Sequence, residues 1–160
     1  MAATSVSHSR QALRDAIAAA VPALHRYCCD NWVVIGSAAA ALAGAKVEVA
    51  DLDLLTSVED ADRLIEAWQE QRDLRYTPAA GDRFRSRFAR FRFPGMPVEV
   101  MGGLEYQGIR GWQQMQVNEV VQVTCAGVTV PIPTRVEQIR VLESFGRPKD
   151  LQRAAALRAL

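Results

Sequence analysis

Ile35-Gly36-Ser37, a gap of thirteen residues, and then Asp51-Leu52-Asp53-Leu54 constrain this chain more than any other stretch. Asn31 to Ile35 is a short, β-branched apolar run that stops at Gly-Ser, and the AAAALAG that follows is strong helix-forming sequence ending on Gly44. The pattern predicts a strand, a tight turn and a helix. Gly36 lets backbone come close to a ligand, and Ser37 can cap the helix, whose free amides and positive dipole end suit a triphosphate. Gly-Ser before a helix also serves as a plain cap, so the turn by itself assigns nothing.

Val47 to Leu55 reads as a second strand. Residues two apart share a face, so Asp51 and Asp53 project together while Leu52 and Leu54 point into the core. Like charges this close raise at least one pKa unless a cation lies between them, and hard oxygen ligands favour Mg²⁺ or Mn²⁺. The plain alternative is a solvated strand end or a helix N-terminus. A third acid follows in Pro97 to Met101, where Glu99 is the single charge between Val98 and Val100. With the arginine-rich strand Phe84 to Phe93 closed by Pro94-Gly95, this segment makes a natural hairpin. Glu99 joins the Asp pair if the two acidic strands are neighbours.

In these elements the chain resembles the DNA polymerase beta-like nucleotidyltransferase superfamily, whose pattern is apolar-Gly-[Gly/Ser], then Asp-apolar-[Asp/Glu]-apolar, then apolar-[Asp/Glu]-apolar. Here it is met by Ile35-Gly36-Ser37, Asp51-Leu52-Asp53-Leu54 and Val98-Glu99-Val100. Arg147-Pro148-Lys149-Asp150-Leu151 also resembles the segment that opens the last helix in small antibiotic-type and toxin-type members. The departure is Glu99, where many relatives carry Asp. The resemblance implies an α/β (α+β) nucleotidyltransferase fold: a mixed sheet carrying the acidic triad, helices packed on one side, and a short C-terminal helical segment. It also implies transfer of a nucleoside monophosphate from an NTP to an acceptor, with release of pyrophosphate. Asp51, Asp53 and Glu99 would hold Mg²⁺ or Mn²⁺, Glu99 would help deprotonate the acceptor, and Gly36 and Ser37 would bind the triphosphate.

The arginines alternate with aromatics along Phe84 to Phe93, with a phase shift near Ala89 that reads as a bulge. One reading is a solvated outer face over core phenylalanines; the other is that Arg85 or Arg87 meets nucleotide phosphates or an anionic acceptor. Lys149 is read either as a nucleotide contact or as a surface ion-pair partner. Trp32 and Trp68 read as packing residues, and Trp112, beside the Gly-rich stretch Gly102 to Gly111, as part of a binding loop.

With 160 residues, 49% hydrophobic content and net charge +1, the chain forms a single domain (1–160), with 8–101 as the core bearing the triad and 102–160 as a hairpin and C-terminal helices. The charge balance argues against bulk nucleic-acid binding. No apolar run reaches a membrane span, no signal peptide is evident, and a cytoplasmic protein is expected. Cys28, Cys29 and Cys125 show no metal-ligand spacing and read as inert thiols, and His8 and His25 receive no role.

Among the remaining elements, Ser9 to Cys29 reads as a helix interrupted or bent near Pro22, after a frayed Met1 to Ser7. Val58 to Arg72 reads as an amphipathic helix, Val117 to Thr124 with Gly127 to Ile132 as a hairpin, and Thr134 with Glu137 as a capping box. The leading function is therefore a metal-dependent nucleotidyltransferase acting on a small molecule, protein or tRNA. The alternative is a non-catalytic nucleotide-binding or partner-binding module with the same fold, and a homodimer completing the site stays open.

Overall fold

The computed structural model describes residues 2–78 and 83–160, with side chains from Ser5 onward. Helix α1 (Ala2–Tyr27) places Leu13, Ile17, Val21 and Leu24 at helical spacing, and all four are buried. It is not interrupted at Pro22, where the sequence suggested an interruption or a bend; Pro22 lies on the exposed side, where water can satisfy the carbonyl its ring leaves unpaired. Residues 2–7, expected to fray, form the start of this helix, and Met1 lies outside the described residues.

Strand β1 (Val33–Ile35), helix α2 (Gly36–Leu42), strand β2 (Leu52–Thr56) and helix α3 (Val58–Ala67) follow, with a short 3-10 turn at Gln69–Gln71. Next come β3 (Phe84–Phe91), β4 (Val98–Gly108), β5 (Gly111–Gln114), the hairpin β6 (Val120–Cys125) and β7 (Val128–Pro133), and helices α4 (Arg135–Phe145) and α5 (Pro148–Arg158). The main sheet runs β1-β2-β4-β3, with β5 paired to the second half of β4. β2 and β4 are parallel and every other neighbouring pair is antiparallel, so the sheet is mixed.

Alternation along the strands divides the core. Leu52, Leu54, Val98, Val100, Ala89 and Phe91 face α1 and α3, and Trp68 meets Phe91 and Phe93 edge-on. Ile35, Leu55, Met101 and Phe84 face the other way, onto Val141 and Phe145 of α4. Helices therefore cover both faces, where the sequence reading placed them on one.

The Gly-rich stretch is not a loop: it forms most of the long strand β4 and its turn into β5. Its glycines serve packing, since a Cβ on Gly102 would lie 2.6 Å from Ala61 Cβ. Gly103, at φ +61°, supplies the extra residue of a bulge between the pairs Arg85–Glu105 and Arg87–Gly102. The expected bulge near Ala89 is absent; the pairing from Arg87 to Phe91 is continuous. The β6–β7 turn uses Ala126 and Gly127, both at positive φ, as a two-residue hairpin loop requires. Thr134 caps α4 by accepting from the Glu137 amide, but Glu137 reaches the amides of Asn118 and Glu119 instead of closing a capping box.

Asp60 ties the two helices of one face together. Its carboxylate is fully buried and accepts from the Cys29 and Asp30 amides and from Arg63. Burial works against its charge, but those donors outweigh it and hold its pKa below the ordinary value. Its contribution to stability is thus present above the ordinary carboxylate range and is lost as the pH falls below it. Asp60→Ala leaves two amides without a partner and is expected to cost about 3 kcal/mol, read as a lower urea midpoint at neutral pH.

Candidate functional site

The parallel pairing of β2 with β4 sets Asp53 directly opposite Glu99. Their neighbours Leu52, Leu54, Val98 and Val100 are fully buried on the opposite face, which fixes both acids on the same side. Asp51 arrives differently from the sequence expectation. β2 begins only at Leu52, and Asp51 sits in the bend before it. Part of the reason lies in Ser9 of α1: its hydroxyl accepts from the Val49 amide at 2.8 Å and donates to the Val49 carbonyl at 3.2 Å, taking bonds a strand would use. The three carboxylates still converge, each offering an oxygen within 4.8 Å of the others.

Gly36 lies against this cluster. Ile35 pairs with Asp53 across β1 and β2, and a Cβ on Gly36, which has φ +71°, would stand 2.7 Å from Asp53 Oδ2. Only glycine fits here on both counts. Ser37 follows inside the first turn of α2 and is buried; the cap position is Ile35, with no side-chain cap bond, so Ser37 is not the cap the sequence suggested.

Burial, and then the charges of Asp51 and Glu99, push the Asp53 pKa well above its ordinary value. The positive charges of Arg153 and Lys149 on α5 pull in the opposite direction. The Glu99 pKa is also raised, by burial first and by Asp51 next, with Arg90 opposing.

Arg90 is the residue that sequence reasoning missed. It pairs with Glu99 in the β3–β4 register, and its Nη1 lies 3.2 Å from Glu99 Oε2 and 3.8 Å from Asp51 Oδ2. Its guanidinium stacks 4.2 Å from the centre of the Tyr76 ring. The signal was the change in which alternate positions carry charge beyond Ala89. Arg85 and Arg87 lie on the opposite face from the triad, as their pairs show: Arg85 binds Glu105 and stacks on Trp112 of β5, and Arg87 binds Asp62 on α3. The structure thus brings Gly36, Asp51, Asp53, Glu99 and Arg90 together, with the Lys149 charge felt at Asp53, and leaves Arg85 and Arg87 elsewhere. Trp32 and Trp68 are buried, as expected of packing residues. Burial pushes the Cys28 thiol up to about 12, so it stays protonated.

Compared with solved structures, the chain matches a candidate nucleotidyltransferase from Thermotoga maritima at 25% identity and a TM-score of 0.64, over 87% of this chain and 90% of that one. The chain has the nucleotidyltransferase fold. Two further structures share that fold. The lincosamide antibiotic adenylyltransferase LnuA, in its lincomycin-bound form, aligns at 11% identity over 81% of this chain and 86% of its own, with a TM-score of 0.52. The antibiotic-resistance factor ANT(2'')-Ia aligns at 11% identity over 99% of this chain and 85% of its own, with a TM-score of 0.51. No family model and no curated protein matches the chain. The likeness to the DNA polymerase beta-like superfamily read from the acidic motifs thus extends to the fold around them.

In this nucleotidyltransferase fold the raised pKa values of Asp53 and Glu99 carry a definite sign. Their stability contribution is complete below the ordinary carboxylate range and is lost as the pH rises through the raised folded-state values. Asp53→Asn is therefore expected to melt above the wild-type, metal-free protein at about pH 8 and to converge with it toward acid pH. Differential scanning calorimetry in the presence of a chelator checks this.

Proposed function

We propose that this protein is a divalent-metal-dependent nucleotidyltransferase that moves a nucleoside monophosphate from an NTP to an acceptor hydroxyl. The observation that carries the reading is the convergence of Asp51, Asp53 and Glu99 beside Gly36. The cluster fits Mg²⁺ or Mn²⁺: its donors are hard oxygens, and burial and then mutual repulsion raise the Asp53 and Glu99 pKa values, a repulsion that a divalent cation relieves. When bound, the metal supplies charge neutralisation at the reacting phosphate and makes the acceptor hydroxyl more acidic.

The rest falls to the chain. Asp51, Asp53 and Glu99 hold the cation, and the backbone at Gly36-Ser37 receives the triphosphate. Lys149 contributes positive charge from α5, and the arginine beside the triad is Arg90, not Arg85 or Arg87, which the sequence reading offered as phosphate contacts. In the transfer, the acceptor oxygen forms a bond to the α-phosphorus as the bond from that phosphorus to the pyrophosphate oxygen breaks. Pyrophosphate leaves with the electron pair, and the acceptor proton passes to Glu99. Positioning and charge neutralisation suffice for such chemistry, so a site with neither His nor Cys is adequate.

The acceptor we favour is a small molecule of the aminoglycoside or lincosamide type. The support is the near-neutral charge, +1, which does not suit tRNA, and the shared fold with two antibiotic-directed proteins. A cytoplasmic setting suits the three free thiols; among the described residues, no helix is long and apolar enough to cross a membrane.

The test is pyrophosphate release from each NTP with Mg²⁺ or Mn²⁺, against panels of both antibiotic classes, proteins and tRNA. Asp51→Asn and Asp53→Asn are each expected to lower turnover by more than about a hundredfold while the fold is kept. Undiminished turnover in both variants would overturn the assignment.

A further inference from the structure

Three carboxylates gathered this closely need positive charge in the absence of metal, and one arginine supplies it by direct contact. Among the described residues, Arg90 is the side chain seen in ion-pair contact with the triad, reaching Glu99 and Asp51 through the same Nη1 atom. It is held firmly. The Arg90 carbonyl accepts from the Asp73 amide at 2.8 Å on one edge of β3, while the other edge pairs with β4. Its side chain is only 19% exposed, and the Tyr76 ring, itself beside Phe88, covers the guanidinium. The aromatic face adds cation–π attraction and restricts solvent. Lys149 and Arg153 act on Asp53 from α5, so the Glu99 and Asp51 side of the cluster depends on Arg90.

We propose that Arg90 is a built-in counter-ion that occupies the Glu99 and Asp51 side of the triad in the metal-free protein, so that an incoming divalent cation must displace it and its presence sets the affinity for metal. The inference rests on the metal-site reading above. A full positive charge less than 4 Å from two ligands lowers the negative potential available to a cation, because at this range the interaction is weakly screened. Arg90 is thus a positioning residue. It keeps the carboxylates converged without metal and makes metal capture weaker than three bare carboxylates would allow.

Mn²⁺ alone serves as the probe, titrated by calorimetry or by its electron paramagnetic resonance signal, with the full-length wild type, Arg90→Gln and Arg90→Lys. Arg90→Gln is expected to bind Mn²⁺ at least about tenfold more tightly, and Arg90→Lys, which keeps the charge, within about threefold of wild type. Melting gives a second readout. Arg90→Gln is expected to melt lower than wild type in chelator and to gain more from Mn²⁺, whereas loss of a purely structural arginine would lower both curves equally.

Mn²⁺ affinity that is unchanged or weakened in Arg90→Gln would overturn the inference while leaving the metal site standing. Wild type that binds no Mn²⁺ would overturn the functional reading for the native protein. Arg90 as counter-ion would then survive only if Arg90→Gln does bind, and would fall with the site if it does not.

Discussion

Everything at the site depends on the parallel register of β2 against β4. That register puts Asp53 opposite Glu99, and because strand side chains alternate, a slip of one residue in either strand would turn that strand's acid into the core and separate the two carboxylates. The apolar partners on the other face prevent it: Leu52, Leu54, Val98 and Val100 are all fully buried against α1 and α3. Core packing on one face thus holds together like charges on the other. Gly36, brought alongside by the pairing of Ile35 with Asp53, and Arg90, brought by the pairing with Glu99, occupy the two flanks of the same row.

Two pairs of acids among the described residues behave in opposite ways, and the difference separates structure from chemistry. Asp60 and Glu137 are each buried amid backbone amides and an arginine, which overcome the cost of burial and lower both pKa values. Each fastens one segment to another, Asp60 the end of α1 to α3 and Glu137 the stretch before β6 to α4. Asp53 and Glu99 move the other way, because burial is reinforced by neighbouring carboxylates. Such repulsion, only partly offset by Arg90, would be costly in a purely structural cluster and is understandable where a cation is to be received.

Much of this was legible in the sequence. The helix after Gly-Ser, the strand from Leu52 through Leu54 and Val-Glu-Val read correctly as local structure, since apolar alternation and turn residues act over a few positions. Where long-range contacts decide, the reading failed. Val47 to Ala50 looks like strand until Ser9, forty residues earlier, takes the backbone bonds of Val49. Gly102 to Gly111 looks like a loop until the close approach of α3 shows that glycine is needed there. The choice among five arginines turned on the pairing of β3 with β4, which puts Arg90 on the triad's face and, by alternation along β3, Arg85 and Arg87 on the other. Tyr76 had no periodic context at all; the 71–73 segment, running along the edge of β3, carries the chain to it.

The most direct measurement is an anomalous difference map from crystals grown with Mn²⁺ and a non-hydrolysable NTP analogue. The account expects manganese peaks bounded by Asp51, Asp53 and Glu99, with the triphosphate running toward Gly36 and the Arg90 guanidinium moved off Glu99. Absence of manganese from the triad at saturating Mn²⁺ and nucleotide, with the Arg90–Glu99 pair intact, would contradict it.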